Sequence, residues 1–167
     1  KFFAELIRDL EGKKKFIGGG EESYGFLPGD YVRDKDAVAS CSMVAETAAW
    51  AKSKGKSLFS LLIDIYLEYG LYREKLINIV RKGADGANEI KAMMKGYRSH
   101  PPKKINNSKV IRINDYETLV STDCITGEKT RINLIKSDVL QFFLEDGSKI
   151  SVRPSGTEPK IKFYFSV

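Results

Sequence analysis

Few residues in this chain offer themselves as metal ligands or nucleophiles, for its 167 residues include two cysteines and one histidine. Cys41 and Cys124 lie far apart without metal-ligand spacing. They read as reduced, structural thiols of a cytosolic protein, one on a helix and one on a strand. His100 stands beside Pro101-Pro102 with no carboxylate or cysteine close in sequence, and reads as a surface residue. No apolar run approaches the roughly 20 residues that cross a bilayer, and no signal-peptide pattern opens the chain. The glycine run at 18–20 is not followed by Gly-Lys-Ser/Thr, which excludes a nucleotide P-loop.

What is present is enough apolar material, 42% of residues against 30% charged, for one ordinary core or two small ones. The formal net charge of +6 is uneven. Residues 1–70 hold ten basic against eleven acidic side chains, a net of −1; residues 71–167 hold eighteen against eleven, a net of +7. A basic second half suits an anionic small ligand by electrostatic focusing. A nucleic-acid surface is the rival reading, but the basic residues are scattered between acids and form no known nucleic-acid module.

That basic half contains Arg153-Pro-Ser-Gly-Thr-Glu-Pro159 between two strand-like runs, Lys149–Val152 and Lys160–Val167. It has the parts of a phosphate clamp. Arg153 offers a planar fork for two phosphate oxygens. Ser155 and Thr157 bring hydroxyls, and Gly156 lets backbone N–H groups approach an anion. Pro154 and Pro159 stiffen the loop and reduce its ordering cost. The competing reading is a plain strand-to-strand turn that carries an arginine.

The first half contains Phe16-Ile-Gly-Gly-Gly-Glu-Glu-Ser-Tyr-Gly25. Phe16 and Ile17 read as the end of a buried strand, and Gly18–Gly20 as a sharp turn. Glu21, Glu22 and Ser23 then stand exposed at its tip. Carboxylates accept strong hydrogen bonds from neighbouring hydroxyl groups such as those of a sugar; a solvated acidic loop is the alternative. Lys35 opposes the dipole of the helix that starts near it, so a bound phosphate, or simply Asp34 and Asp36, must offset it.

Gly-Glu-Glu-Ser-Tyr-Gly at 20–25, Val-Arg-Asp-Lys-Asp-Ala-Val at 32–38 and Arg-Pro-Ser-Gly-Thr-Glu-Pro at 153–159, with Lys54-Gly-Lys-Ser-Leu58 and Tyr69-Gly70, resemble the alpha-D-phosphohexomutases, most closely the phosphoglucomutase and phosphopentomutase branch. The resemblance implies an α/β third domain ending near residue 70. An α+β, TBP-like fourth domain follows over 71–167, an antiparallel sheet with a helix on one face. It implies an intramolecular phosphotransferase for phosphosugars, working through a phosphoserine, Mg²⁺ and a sugar bisphosphate intermediate. It assigns sugar binding to Glu21, Glu22 and Ser23. Phosphate binding falls to Arg153, Ser155, Gly156, Thr157 and Lys35, with Lys162 and Arg33 as further candidates. The family often has an arginine where Lys162 stands, and lysine keeps the charge without the bidentate grip.

Neither the family's active-site serine motif nor its Asp-Gly-Asp-x-Asp metal loop occurs in the sequence. The expectation is therefore a piece of an enzyme, with no catalytic residue or metal ligand of its own and with preceding domains of the same chain as its partner. It starts in a helix already under way and stops before the last helix of the fourth domain. The readings from other classes are a stand-alone phosphate- or nucleic-acid-binding module, and an interaction domain whose loops face a partner protein.

The spacing predicts a helix over 1–11 stopped at Gly12, and a second capped by Asp34 or Asp36 and running to about Lys54, with Val38, Cys41, Ala45 and Ala48 on its apolar face. A third follows, capped by Ser57 and ended by Gly70, with Leu58, Leu61, Leu62, Ile65 and Tyr69 along one side. The second part opens with a strand near 73–81 and a helix capped by Asp85, carrying Ile90, Met94 and Tyr97 and ended by Pro101-Pro102. Strands are then expected at 110–113, 118–121 and 130–134. A hairpin turning at Asp146-Gly147 comes next, and a last strand with Ile161, Phe163, Phe165 and Val167 on one face and Lys160, Lys162 and Tyr164 on the other.

Overall fold

The computed structural model describes residues 2–20, 25–83, 85–156 and 158–167, with Phe2 described for its backbone alone. The chain divides into two compact units, Lys1–Gly70 and Leu71–Val167.

In the first unit α1 (Phe2–Leu10) turns Phe3, Ile7 and Leu10 to one side, where they pack with Phe16 and Leu27 into a small core. The Phe3 and Phe16 rings meet edge to face at 6.3 Å, a preferred aromatic geometry. Gly12, at φ 70°, follows the helix end in the left-handed region, as its reading as a stop requires. The short strands β1 (Gly19–Gly20) and β2 (Phe26–Leu27) pair antiparallel. The glycines themselves therefore form the strand. Phe16 lies outside it, buried against α1, while Ile17 is 85% exposed. This corrects the expected strand end at Phe16–Ile17, and the reason is contact with α1: a Cβ on Gly19 would fall 2.5 Å from the Phe3 ring. Only glycine lets β1 run that close to the helix.

Helix α2 (Ala37–Ser53) is capped by Asp36, whose Oδ1 accepts the N–H groups of Val38 at 3.0 Å and Ala39 at 3.1 Å. Helix α3 (Leu58–Tyr69) is capped by Ser57 through the Ser60 N–H at 3.1 Å and ends at Gly70. The apolar face expected on α2 is uncovered: Val38 and Cys41 are exposed, and Ala51 is the buried residue of that helix. On α3 Leu58, Leu62, Ile65 and Tyr69 are likewise exposed.

The second unit is a sheet with one helix against it. Its elements are β3 (Glu74–Val80), α4 (Gly86–Ser99), β4 (Lys104–Ile105), β5 (Ser108–Asp115), β6 (Val120–Asp123), β7 (Lys129–Arg131), β8 (Leu140–Leu144), β9 (Lys149–Pro154) and β10 (Lys160–Ser166). Among the described residues the strand order is β3-β10-β9-β8-β5-β6-β7, with β4 added to β5 and all pairings antiparallel. Ile90 and Met94 of α4 meet Leu140, Phe142, Val152 and Ile161 in the core, and Tyr97 touches Phe142 and Phe163 edge to face. Strict alternation along β8, β9 and β10 sends these residues to the helix side and their neighbours to the open face.

Several local expectations shift. Asp85 does precede α4 but makes no side-chain cap bond. The strands expected at 118–121 and 130–134 lie at Val120–Asp123 and Lys129–Arg131, and Cys124 falls in the turn between them, exposed rather than on a strand. The Asp146-Gly147 hairpin has a three-residue loop, not two. Gly147 N–H bonds to Leu144 O at 3.1 Å, Leu144 N–H bonds to Ser148 O at 2.9 Å, and Gly147 sits at φ 86°. That is a tight turn followed by a left-handed glycine.

Candidate functional site

The hairpin of β9 and β10 carries the basic loop. Register places Arg153 directly opposite Lys162, and Lys162 directly opposite Asn78 of β3. Because Val152 and Ile161 are buried on the helix side, Arg153, Lys162 and Asn78 form one row across the open face. Two cations in directly opposed positions repel, and an anion above them relieves that repulsion. The Arg153 side chain is exposed and makes no hydrogen bond or ion pair with a described residue.

The loop is anchored at both sides. Ser155 N–H donates to Lys160 O at 2.8 Å, Lys160 N–H to Glu158 O at 2.7 Å, and Arg81 N–H to Pro159 O at 2.8 Å. The Ser155 amide is thereby spent on the hairpin, so its hydroxyl is the group left to meet a ligand. A Cβ on Gly156 would find no atom within 4 Å, and its φ lies outside the left-handed region. Among the described residues nothing requires glycine there, and a residue without a Cβ leaves the backbone open to close approach from outside. Thr157 lies outside the described residues.

Glu158 is the one acid of the loop, and Lys160 neutralises it through an ion pair. The hydrogen bond from Lys160, then its charge, hold the Glu158 carboxyl below its ordinary range, with Lys162 adding a smaller pull. The loop thus keeps an excess of positive charge from Arg153 and Lys162.

In the first unit Glu21, Glu22 and Ser23 lie outside the described residues. β1 and β2 flank those residues in sequence. Lys35 precedes the α2 cap Asp36 rather than starting the helix, and it is held by Asp34: its N–H donates to Asp34 Oδ1 at 2.7 Å and its Nζ lies 3.0 Å from the same oxygen. The Lys35 backbone N–H, then its ammonium, keep the Asp34 carboxyl below the usual range. Arg33 pairs with Glu11 at 3.3 Å, tying the segment before α2 to the end of α1. Both partners are solvated, so the pair contributes little.

Asn78 was not singled out from sequence, because only strand register reveals that it shares a row with Arg153 and Lys162. Among the described residues no three of His, Cys, Asp or Glu gather as a metal site. They do not fit the oxygen-rich shell that Mg²⁺ requires. No described helix is long and apolar enough to cross a membrane.

Comparison with known proteins accords with this architecture. Residues 1–69 match the model of the phosphoglucomutase/phosphomannomutase alpha/beta/alpha domain III, and residues 76–167 match that of the phosphoglucomutase/phosphomannomutase C-terminal domain. All 167 residues align with a phosphoglucomutase of Staphylococcus haemolyticus at 38% identity, and with those of Staphylococcus epidermidis and Staphylococcus aureus at 40%. The chain spans about 30% of the length of these relatives. A crystal structure of pp63/parafusin from Paramecium, an exocytosis-sensitive phosphoprotein described as a phosphoglucomutase, shares the fold over 98% of this chain and 28% of its own, with a TM-score of 0.58 and 18% identity. The chain belongs to the phosphoglucomutase/phosphomannomutase family and carries its domain III and C-terminal domain sequences.

Proposed function

We propose that this chain supplies the substrate-holding part of a phosphosugar mutase. Its second unit grips the non-reacting phosphate with Arg153, Ser155, Gly156, Thr157 and Lys162. Its first unit offers Glu21, Glu22 and Ser23 to sugar hydroxyls, with Lys35 as a further phosphate contact and Arg33 more remote because Glu11 engages it. The observation that carries this reading is the register that sets Arg153 against Lys162 at the rim of the loop.

The chemistry follows from the residue types. A guanidinium fork takes two phosphate oxygens, and an ammonium beside it adds a point charge on the same dianion. Paired carboxylates accept from vicinal hydroxyls that present a similar pattern after the sugar turns round. A mutase must hold its substrate in two orientations, and positioning accounts for much of the rate in phosphoryl transfer. The phosphoryl donor and Mg²⁺ belong, in this proposal, to preceding domains of a longer chain, in keeping with relatives of which this chain spans about 30%. Cytoplasmic sugar metabolism is the setting such a reaction implies.

A chimera tests it. Residues 1–167 replace the matching stretch of the Staphylococcus haemolyticus phosphoglucomutase, and mutase activity is assayed. The chimera should turn over glucose phosphate, and Arg153→Ala within it should raise KM and lower kcat/KM by about thirtyfold, the equivalent of roughly 2 kcal/mol for a charge-assisted contact. Glu22→Gln should weaken competition by a sugar phosphate more than competition by inorganic phosphate. An active chimera whose kinetics stay within threefold after Arg153→Ala would remove the clamp.

A further inference from the structure

A second cationic feature lies at the other end of the sheet. Val110 of β5 pairs with Leu144, whereas Leu140 at the opposite end of β8 pairs with Val152 beside Arg153. The start of β5 is therefore remote from the phosphate loop along the strands. There the β4–β5 hairpin, the end of α4 and the turn after β6 enclose an open groove of about 900 Å³. That size suits a small organic ligand.

The hairpin forces a like-charged contact. Asn106 and Asn107, at φ 47° and 66°, form a two-residue turn with both residues left-handed, and the register then sets Lys104 directly opposite Lys109. Such turns lock a hairpin in one alignment, and like charges in directly opposed positions destabilise it. Lys103 adds a third ammonium to the lining, and none of the three makes an ion pair or side-chain hydrogen bond with a described residue. The C-terminus of α4 offsets part of this charge. Two of its last carbonyls are already occupied, Gly96 O by the His100 N–H and Lys95 O by the Ser99 hydroxyl. Glu145 is the one carboxylate of the lining, so the ammonium groups outnumber the acids.

Part of the lining is apolar. Ile125 stands 76% exposed at the lip, on a turn fixed by Asp123, whose carboxylate accepts the N–H groups of Ile125 at 2.8 Å and Thr126 at 2.9 Å. Pro101 and Ile111 continue the same surface. A solvent-facing isoleucine beside lysines that outnumber the acids matches a ligand with an apolar body and a phosphate group.

We propose that this groove binds a small amphipathic phosphate ester, at a site separate from the Arg153 loop. Lys104 and Lys109 hold the phosphate, Lys103 adds long-range attraction, and Ile125 with Pro101 receives the apolar body. α4 runs from this groove to Gly86, whose Cα lies so near Arg81 that a Cβ would come within 2.5 Å of the Arg81 carbonyl oxygen; the Arg81 N–H in turn holds Pro159 of the phosphate loop. One rigid element about 20 Å long thus connects the two places.

The test is an amide NMR titration of the whole labelled chain with 1-naphthyl phosphate, inorganic phosphate and 1-naphthol in turn. Naphthyl phosphate should move the amides of Lys104, Lys109 and Ile125 saturably, and the separate phosphate and naphthol should each bind at least about tenfold more weakly. Lys104→Gln combined with Lys109→Gln should weaken naphthyl phosphate by about tenfold, and Ile125→Ser by about threefold. These are surface changes whose unaltered spectra elsewhere report an intact fold. Naphthol binding as tightly as its phosphate, affinity within twofold in the double lysine variant, or shifts confined to residues 153–162 would each overturn the proposal.

Discussion

Arg153 and Arg98 stand in opposite surroundings. Arg98 is mostly buried and meets three carboxylates, Asp115 at 3.3 Å, Glu117 at 2.8 Å and Asp138 at 2.6 Å. Burial works against its charge, yet its bonds to Asp138 and Asp115 prevail and its pKa rises. Removing it strands partly buried Asp115, so Arg98→Ala should cost about 2 kcal/mol in urea unfolding while leaving phosphate binding intact. Arg153 has no such partners among the described residues and sits beside another cation. Its removal should leave stability unchanged, or raise it slightly, while phosphate binding falls; a loss of stability equal to that of Arg98→Ala would make it a structural residue. The sequence singled out Arg153 as a candidate, because its loop is a compact motif. It was silent on Arg98, whose acids come from two separate segments, the turn at Asp115 and Glu117 and the stretch holding Asp138.

Caps and turns set the elements that present the loops. Asp36→Ala should lower stability by about 1 kcal/mol, since it strands two α2 amides, and Asp36→Asn should restore most of it. The Asp146 turn carries a pH dependence. The Ser148 N–H, then its hydroxyl, hold the Asp146 carboxyl below its ordinary value. A depressed folded pKa contributes stability that is complete above the unfolded value of about 3.9 and is lost as pH falls through the folded one. Carboxyl NMR should place Asp146 below the exposed aspartates, and Asp146→Ala should flatten the stability change between pH 5 and 3; an ordinary titration would refute the contact. Helix positions and the alternating pattern of β8–β10 were legible, since periodicity and caps are local. The β1 strand was not, because Gly19 serves close contact with Phe3 rather than a turn, and β4 escaped because two residues give no period.

Across the whole molecule the two units differ in how much apolar surface they bury. In the second, α4 and the sheet enclose a continuous core; in the first, Val38, Val44, Phe59 and Leu67 stand exposed on α2 and α3. Apolar faces of that kind mark surfaces built to be covered. Hydrogen exchange should therefore find the slowest amides in β8, β9 and β10 and faster ones throughout α2 and α3; equal protection in both units would contradict this. Family membership was readable from three short motifs, and the nearness of Lys162 to Arg153 from the strand pattern, whereas their direct opposition in one row with Asn78 needed the register. The account rests on that pair as a phosphate grip. An amide NMR titration of the chain with glucose 6-phosphate tests it most directly. The account predicts saturable shifts at Ser155, Gly156 and Lys162 that weaken with added salt and disappear in Arg153→Ala. Shifts that persist unchanged in that variant, or none at residues 153–162, would contradict it.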